Sequence, residues 1–128
     1  MLDTNTVSFF MRGDPKVTQR VLNTPMSSLC ISAITEGELQ FGVAKRPEAT
    51  KLQRAVAEFL KRVEVLSWDS AAAEYYGLTR AEMERRGKVL SPLDLLIGSH
   101  AMSVECILVT NDGAFKQLEK LKTEDWSE

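Results

Sequence analysis

Asp3, Glu36, Glu38, Asp94 and Asp112 are the residues whose type and placement could do chemistry in this chain. Each stands just after a short strand-like apolar run or opens a helical pattern. In an open α/β sheet, ligands bind outside the carboxyl ends of the strands, near the point where strand order reverses. Carboxylates gathered there would offer oxygen ligands to a hard divalent cation such as Mg²⁺ or Mn²⁺, which requires no His or Cys. Such a cation can polarise a phosphoryl oxygen and activate a bound water. Every one of these acids also has a plainer use, because acidic residues are favoured in the first turn of a helix. Thr35 to Glu38 has the form of a capping box, Ser91 to Asp94 has the same form with Asp in place of Glu, and Asp112 could cap the helical stretch that follows it. Asp3 makes a compact polar cluster with Thr4 and Asn5 that a turn could use. Glu36 and Glu38 point about 200° apart on a helix, so both cannot face one pocket, and periodicity does not choose between them.

The elements that must position these acids alternate between short strand-like runs and longer helical ones, which is the pattern of a parallel sheet covered by helices. Strands are expected at 1–3, 29–34, 63–68, 106–110 and around 121–126, with helices at 17–23, 38–46, 51–63, 71–87 and 92–103. Gly87 is placed to end the longest helix, and Ser91 with Pro92 to start the next. At 128 residues, with 44% hydrophobic and 27% charged, the chain has the size and composition of one domain spanning 1–128 that needs no disulfide or structural metal to fold. No apolar run reaches the roughly 18 residues of a membrane span, and the opening MLDTN carries an acid where a signal peptide carries positive charge, so the expected location is the cytoplasm. Cys30 and Cys106 sit in apolar runs and read as small buried hydrophobes. A single histidine excludes a zinc site of the usual kind, and His100 reads as structural. A net charge of −2 excludes a broad basic footprint for nucleic acid, so any such contact must come from local patches or bound cations.

Four segments, MLDTN, ITEGELQFG (34–42), SPLDLLIGSHA (91–101) and LVTND (108–112), resemble the four signature regions of PIN-domain proteins, and most closely the VapC group of toxin ribonucleases. The tail LKTEDWSE resembles the C-terminal strand of that group, so the likeness spans nearly the whole chain. It implies an α/β fold, a three-layer α/β/α sandwich with a central parallel sheet. It also implies an acidic set of Asp3, Glu38, Asp94 and Asp112, with Asp3 and Asp94 as the principal ligands of Mg²⁺ or Mn²⁺, and Asn5 and Thr110 as polar neighbours that fix carboxylates or touch a phosphate. The choice of Glu38 over Glu36 rests on this resemblance alone. The implied activity is metal-dependent endoribonuclease cleavage by water, leaving a 5′-phosphate and a 3′-hydroxyl. The implied substrate is structured RNA, the enteric members of the group being known for cutting initiator tRNA in the anticodon stem-loop. The implied partners are a VapB-like antitoxin that blocks the pocket and a second toxin copy, in a homodimer or a toxin–antitoxin hetero-oligomer, with no membrane.

Arg80, Arg85, Arg86 and Lys88 form first of all the solvated side of a long helix. Because the run leads towards the loop before Asp94, Arg85 and Arg86 are also candidates for holding an RNA backbone. Trp68, Tyr75, Tyr76 and Trp126 suit packing better than base stacking. Two other functions compete. One is a phosphoacceptor receiver domain with Asp69 as acceptor and Thr110 as switch, which lacks the expected second acid beside Asp3. The other is a PIN module that binds RNA without cutting it, against which the complete acid set argues.

Overall fold

The computed structural model describes residues 1–128, with six α-helices and four short strands. The opening residues run through the middle of the sheet. Leu2 pairs in parallel with Val109, Asp3 N–H donates to Val109 O (3.0 Å), and Leu2 N–H donates to Cys30 O (2.9 Å). Strand β1 (Cys30–Ser32) lies on one side of this segment and pairs in parallel with β2 (Glu64–Leu66). Strand β3 (Leu108–Val109) lies on the other side and pairs in parallel with β4 (Thr123–Glu124). The chain therefore starts at the centre, builds one half of the sheet, then crosses to build the other. The reversal of strand order falls at Asp3.

Alternation along these strands separates the core into two halves. Leu2, Ile31 and Val109 belong to one buried cluster with Val7, Val17, Leu39, Val56 and Phe59, while their neighbours Met1 and Leu108 belong to another with Met83, Ile97, Ala101 and Phe115. Because successive strand residues face opposite sides, the two clusters are the two faces of one sheet. Helices α1 (Thr4–Met11), α2 (Pro15–Leu22), α3 (Ala33–Ala44) and α4 (Thr50–Arg62) supply the first. Helices α5 (Ser70–Arg85) and α6 (Pro92–Ser103) and a 3₁₀ turn (Gly113–Gln117) supply the second. This is the expected three-layer arrangement.

Side-chain caps set most helix starts. Asp14 Oδ1 accepts from Val17 N–H (3.0 Å), Asp69 Oδ1 from Ala72 N–H (3.1 Å), and Ser91 Oγ from Asp94 N–H (3.3 Å) with Pro92 at the first position. Gly87 takes φ +66°, the left-handed conformation that ends α5. At Gly98 a Cβ would lie 2.8 Å from Leu118 Cδ1, so the missing side chain lets α6 close on the segment after Asp112.

Two local expectations fail. Helix α1 was not anticipated; Asp3 caps it, and the chain runs from Thr4 to Met11 as helix, where a turn was one use the sequence allowed for Asp3, Thr4 and Asn5. Helix α3 begins at Ala33 because Ser32 Oγ accepts from Ile34 N–H (3.1 Å), which shortens the strand expected at 29–34. Thr35 is then inside the helix and caps nothing, so the capping-box reading of Glu38 is overturned.

Candidate active site

Asp3 is 5% exposed, at the end of the central segment where strand order reverses. Its Oδ1 accepts from Thr6 N–H at 2.8 Å, and Thr6 Oγ1 donates to Val109 O at 3.0 Å, so the first turn of α1 is locked to β3 beside it. Burial pushes the Asp3 carboxyl above the ordinary aspartate range. Thr110 and Thr6 pull it back down by hydrogen bonding, and the negative charge of Asp94 raises it again. Asp94 thus shares the field of Asp3 although it comes from the first turn of α6. Ser91 Oγ satisfies the Asp94 N–H, but the Asp94 carboxylate makes no return bond to the Ser91 backbone. As a capping box it is only half made.

Glu38 is half-buried within α3, and its Oε1 accepts from Thr4 Oγ1 at 2.5 Å. Thr4 Oγ1 also lies 3.3 Å from Thr35 Oγ1, so the residue next to Asp3 ties α1 to α3. Glu36 makes no such bond. On the other side, Thr110 is 4% exposed, and its Oγ1 accepts from Asp112 N–H at 3.0 Å while Thr110 also bonds towards Asp3. Asp112 Oδ1 accepts from Ala114 N–H at 2.9 Å, the capping role the sequence allowed. Asn5 is exposed in the first turn of α1. Thr4 and Thr6 are the polar residues that sequence reasoning did not single out as contributors. Their signal was the capping of α1 by Asp3, which sets Thr6 over the strand end.

None of the four acids forms an ion pair, since the salt bridges all fall on other glutamates. No three carboxylates approach closely enough to make a closed cage. A buried carboxylate held short of its ordinary ionisation, with a second negative charge near it and no protein cation, suits a hard divalent ion. Such an ion takes one or two carboxylates and keeps several waters, so the donor set fits.

Arg85 and Arg86 are not drawn towards these acids. Arg85 pairs with Glu82, and Arg86 pairs with Glu82 (2.9 Å) and Glu119 (2.8 Å), beside a groove that Tyr75, Leu78 and Met102 also line. Arg80 is likewise held by Glu84 (3.3 Å) and Tyr76 Oη (2.9 Å). Asp69 caps α5 and follows β2 at the edge of the sheet, away from the switch point that a receiver-type acceptor would occupy. Cys30 and Cys106, expected to be buried, are only partly so: Cys30 opens β1, Cys106 lies two residues before β3, and both pack against the second cluster.

Residues 1–121 match the PIN domain family. The chain belongs to that family. Among its relatives, the tRNA(fMet)-specific endonuclease VapC of Shigella flexneri is 37% identical over 99% of this chain and 97% of its own length. The Salmonella typhimurium protein of the same name is 37% identical over 98% of this chain and 96% of its own. A crystal structure of DNA-bound VapBC from Salmonella typhimurium superposes with a TM-score of 0.91 at 37% identity, covering 98% of this chain and 96% of that one. VapBC2 from Rickettsia felis, bound to a promoter DNA fragment, superposes with a TM-score of 0.89 at 33% identity, covering 98% of this chain and 97% of that one. Identity at this level along the whole length puts this PIN domain in the VapC branch. No helix in it is long and apolar enough to cross a membrane.

Proposed function

We propose that this PIN domain, as a single domain acting in the cytoplasm, is the toxin of a toxin–antitoxin pair and an endoribonuclease that hydrolyses structured RNA. Initiator tRNA is the first substrate to test. The observation that carries the reading is Asp3, buried at the switch point with its carboxyl raised by burial and by Asp94, and with no cation of the chain beside it. The names and lengths of the VapC relatives support the activity and a VapB-like antitoxin.

Asp3 and Asp94 would hold Mg²⁺ or Mn²⁺, which when bound supplies charge neutralisation at the phosphoryl group and a more acidic water. The chain's own residues do the rest. Thr6 and Thr110 orient the Asp3 carboxylate through hydrogen bonds. Thr4 holds Glu38 by one oxygen, leaving the other to accept a proton from an attacking water. Asp112, whose N–H donates to Thr110 Oγ1 and whose Oδ1 accepts from Ala114 N–H, would orient water or phosphate. An antitoxin arginine placed among these acids would satisfy their charge and exclude substrate.

The test incubates the purified chain with total RNA and with initiator tRNA, with Mg²⁺ or Mn²⁺, with and without chelator, beside Asp94→Asn. The expected result is cleavage that chelator and the substitution both abolish while the variant keeps its fold. Chelator-insensitive cutting, or full activity in Asp94→Asn, sinks the reading.

A further inference from the structure

His100, the one histidine of the chain, lies about 9 Å of helix rise beyond Asp94 on α6, at ~1.5 Å per residue. It is sealed in the interior, and its Nδ1 lies 2.7 Å from Ser32 Oγ, which is also wholly buried. Ser32 Oγ already accepts from Ile34 N–H as the cap of α3. With Nδ1 facing Ser32, the ring hydrogen that bonds to the Ser67 backbone sits on Nε2, so in the neutral ring Nδ1 accepts from the Ser32 hydroxyl. Burial favours that neutral form, against the opposing pull of the Asp69 carboxylate and of the Ser67 backbone on the ring. Trp68 Nε1–H donates to Leu96 O at 3.0 Å, which ties the same loop to α6 a turn earlier. The Ser, His and Asp do not make a nucleophilic triad, because the hydroxyl has no access to a substrate.

No other hydrogen bond joins α3 and its cap to α6. These are the helices that carry Glu38 and Asp94. Apolar contacts tolerate small slides between helices, whereas a buried hydrogen bond weakens steeply with angle and distance. We propose that His100 is a positioning residue which, by joining α6 to the cap of α3 through Ser32, sets the spacing between Asp94 and Glu38. The proposal rests on the active-site reading above. A misplacement of ~1 Å in a catalytic group can cost on the order of 100-fold in rate, so part of such a shift should register in turnover.

The test compares Ser32→Ala, His100→Leu, the double variant and His100→Asn with the wild type and with Asp94→Asn, at a temperature where circular dichroism finds each folded. Ser32→Ala and His100→Leu should each lower kcat about tenfold with KM within about twofold. Each should also raise the Mn²⁺ concentration needed for half-maximal thermal stabilisation. The double variant should be no worse than the poorer single one, since both remove the same joint. His100→Asn keeps an acceptor near the Nδ1 position and should recover most of the loss. Wild-type kcat and Mn²⁺ response in folded Ser32→Ala and His100→Leu, or losses that multiply in the double variant, overturn the proposal. Nitrogen NMR of the single imidazole in the unsubstituted protein is independent of variant folding. It should show hydrogen on Nε2 and an Nδ1 engaged in a hydrogen bond, and an Nδ1 that neither carries a hydrogen nor accepts one overturns the proposal. If Asp94→Asn cuts RNA normally, both this proposal and the site reading fall; if it is dead while His100→Leu is fully active, only this proposal falls.

Discussion

At the N-terminus of α6, Asp94 adds its negative charge to that of Asp3 with no cation of the chain between them. Near the other end of the same helix, across from Met102, the charges of α5 are settled internally: Arg85 and Arg86 meet Glu82, and Arg86 also meets Glu119. The second region is an exposed face that has satisfied its own electrostatics, while the first holds an imbalance that only something outside the chain can relieve. Unrelieved charge around a buried group is costly to maintain, so it marks a place kept for binding.

The sharpest way to break this comparison is Asp3→Asn. Asn keeps the cap of α1 and the shape of the side chain, so the fold should survive while cleavage falls roughly 100- to 1000-fold, as when one charge-stabilising group is removed. Its stability should move the opposite way. The folded pKa of Asp3 is raised above 3.8, so its contribution is fully present below the unfolded value and is lost as pH rises through the folded value. Without metal, the melting temperature of Asp3→Asn relative to wild type should therefore climb as pH rises from about 4 towards 7. Saturating Mn²⁺ should close the gap by stabilising only the wild type. Melts that show no pH-dependent gap would mean that Asp3 is not under electrostatic load. A smaller effect is expected from Thr4→Val, which removes the donor to Glu38 and should slow cleavage about tenfold, within the range for lost supporting hydrogen bonds. The smallest belongs to Arg85→Ala and Arg86→Ala. Exposed paired arginines contribute little, and RNA cleavage should change less than about twofold. A drop in RNA affinity with a salt slope lower by about one would make them substrate contacts and dissolve the contrast.

Strands β1, β2 and β3 were readable as apolar runs bounded by turn residues, α4 was readable from its periodicity, and α5 and α6 were readable from their capping and terminating residues. Helix α1 was hidden because Asp3 looked like a site residue or a turn, and its second job as a helix cap erased the boundary signal. Helix α3 was placed too late for a related reason: Thr35 fits a capping box on paper, but Ser32 reaches Ile34 first. Capping is decided by which hydroxyl the chain direction turns towards the free N–H groups, and that depends on the sheet. The acids and Thr110 could be named from their motifs, whereas Thr4 and Thr6 could not. Thr4 and Thr6 act across gaps of 34 and 103 residues in the sequence, to Glu38 and Val109. Such pairings leave no local pattern.

The segment at Leu2 is paired to Val109 and bonded to Cys30, so the middle of the sheet joins stretches that lie far apart in the sequence. During synthesis that central seam stays open until β3 emerges, and contacts of such long sequence separation form late. Asp3 cannot meet Thr110 and Asp94 before then. A chain that has not yet brought β3 beside the Leu2 segment therefore lacks the strand end on which the proposed site depends.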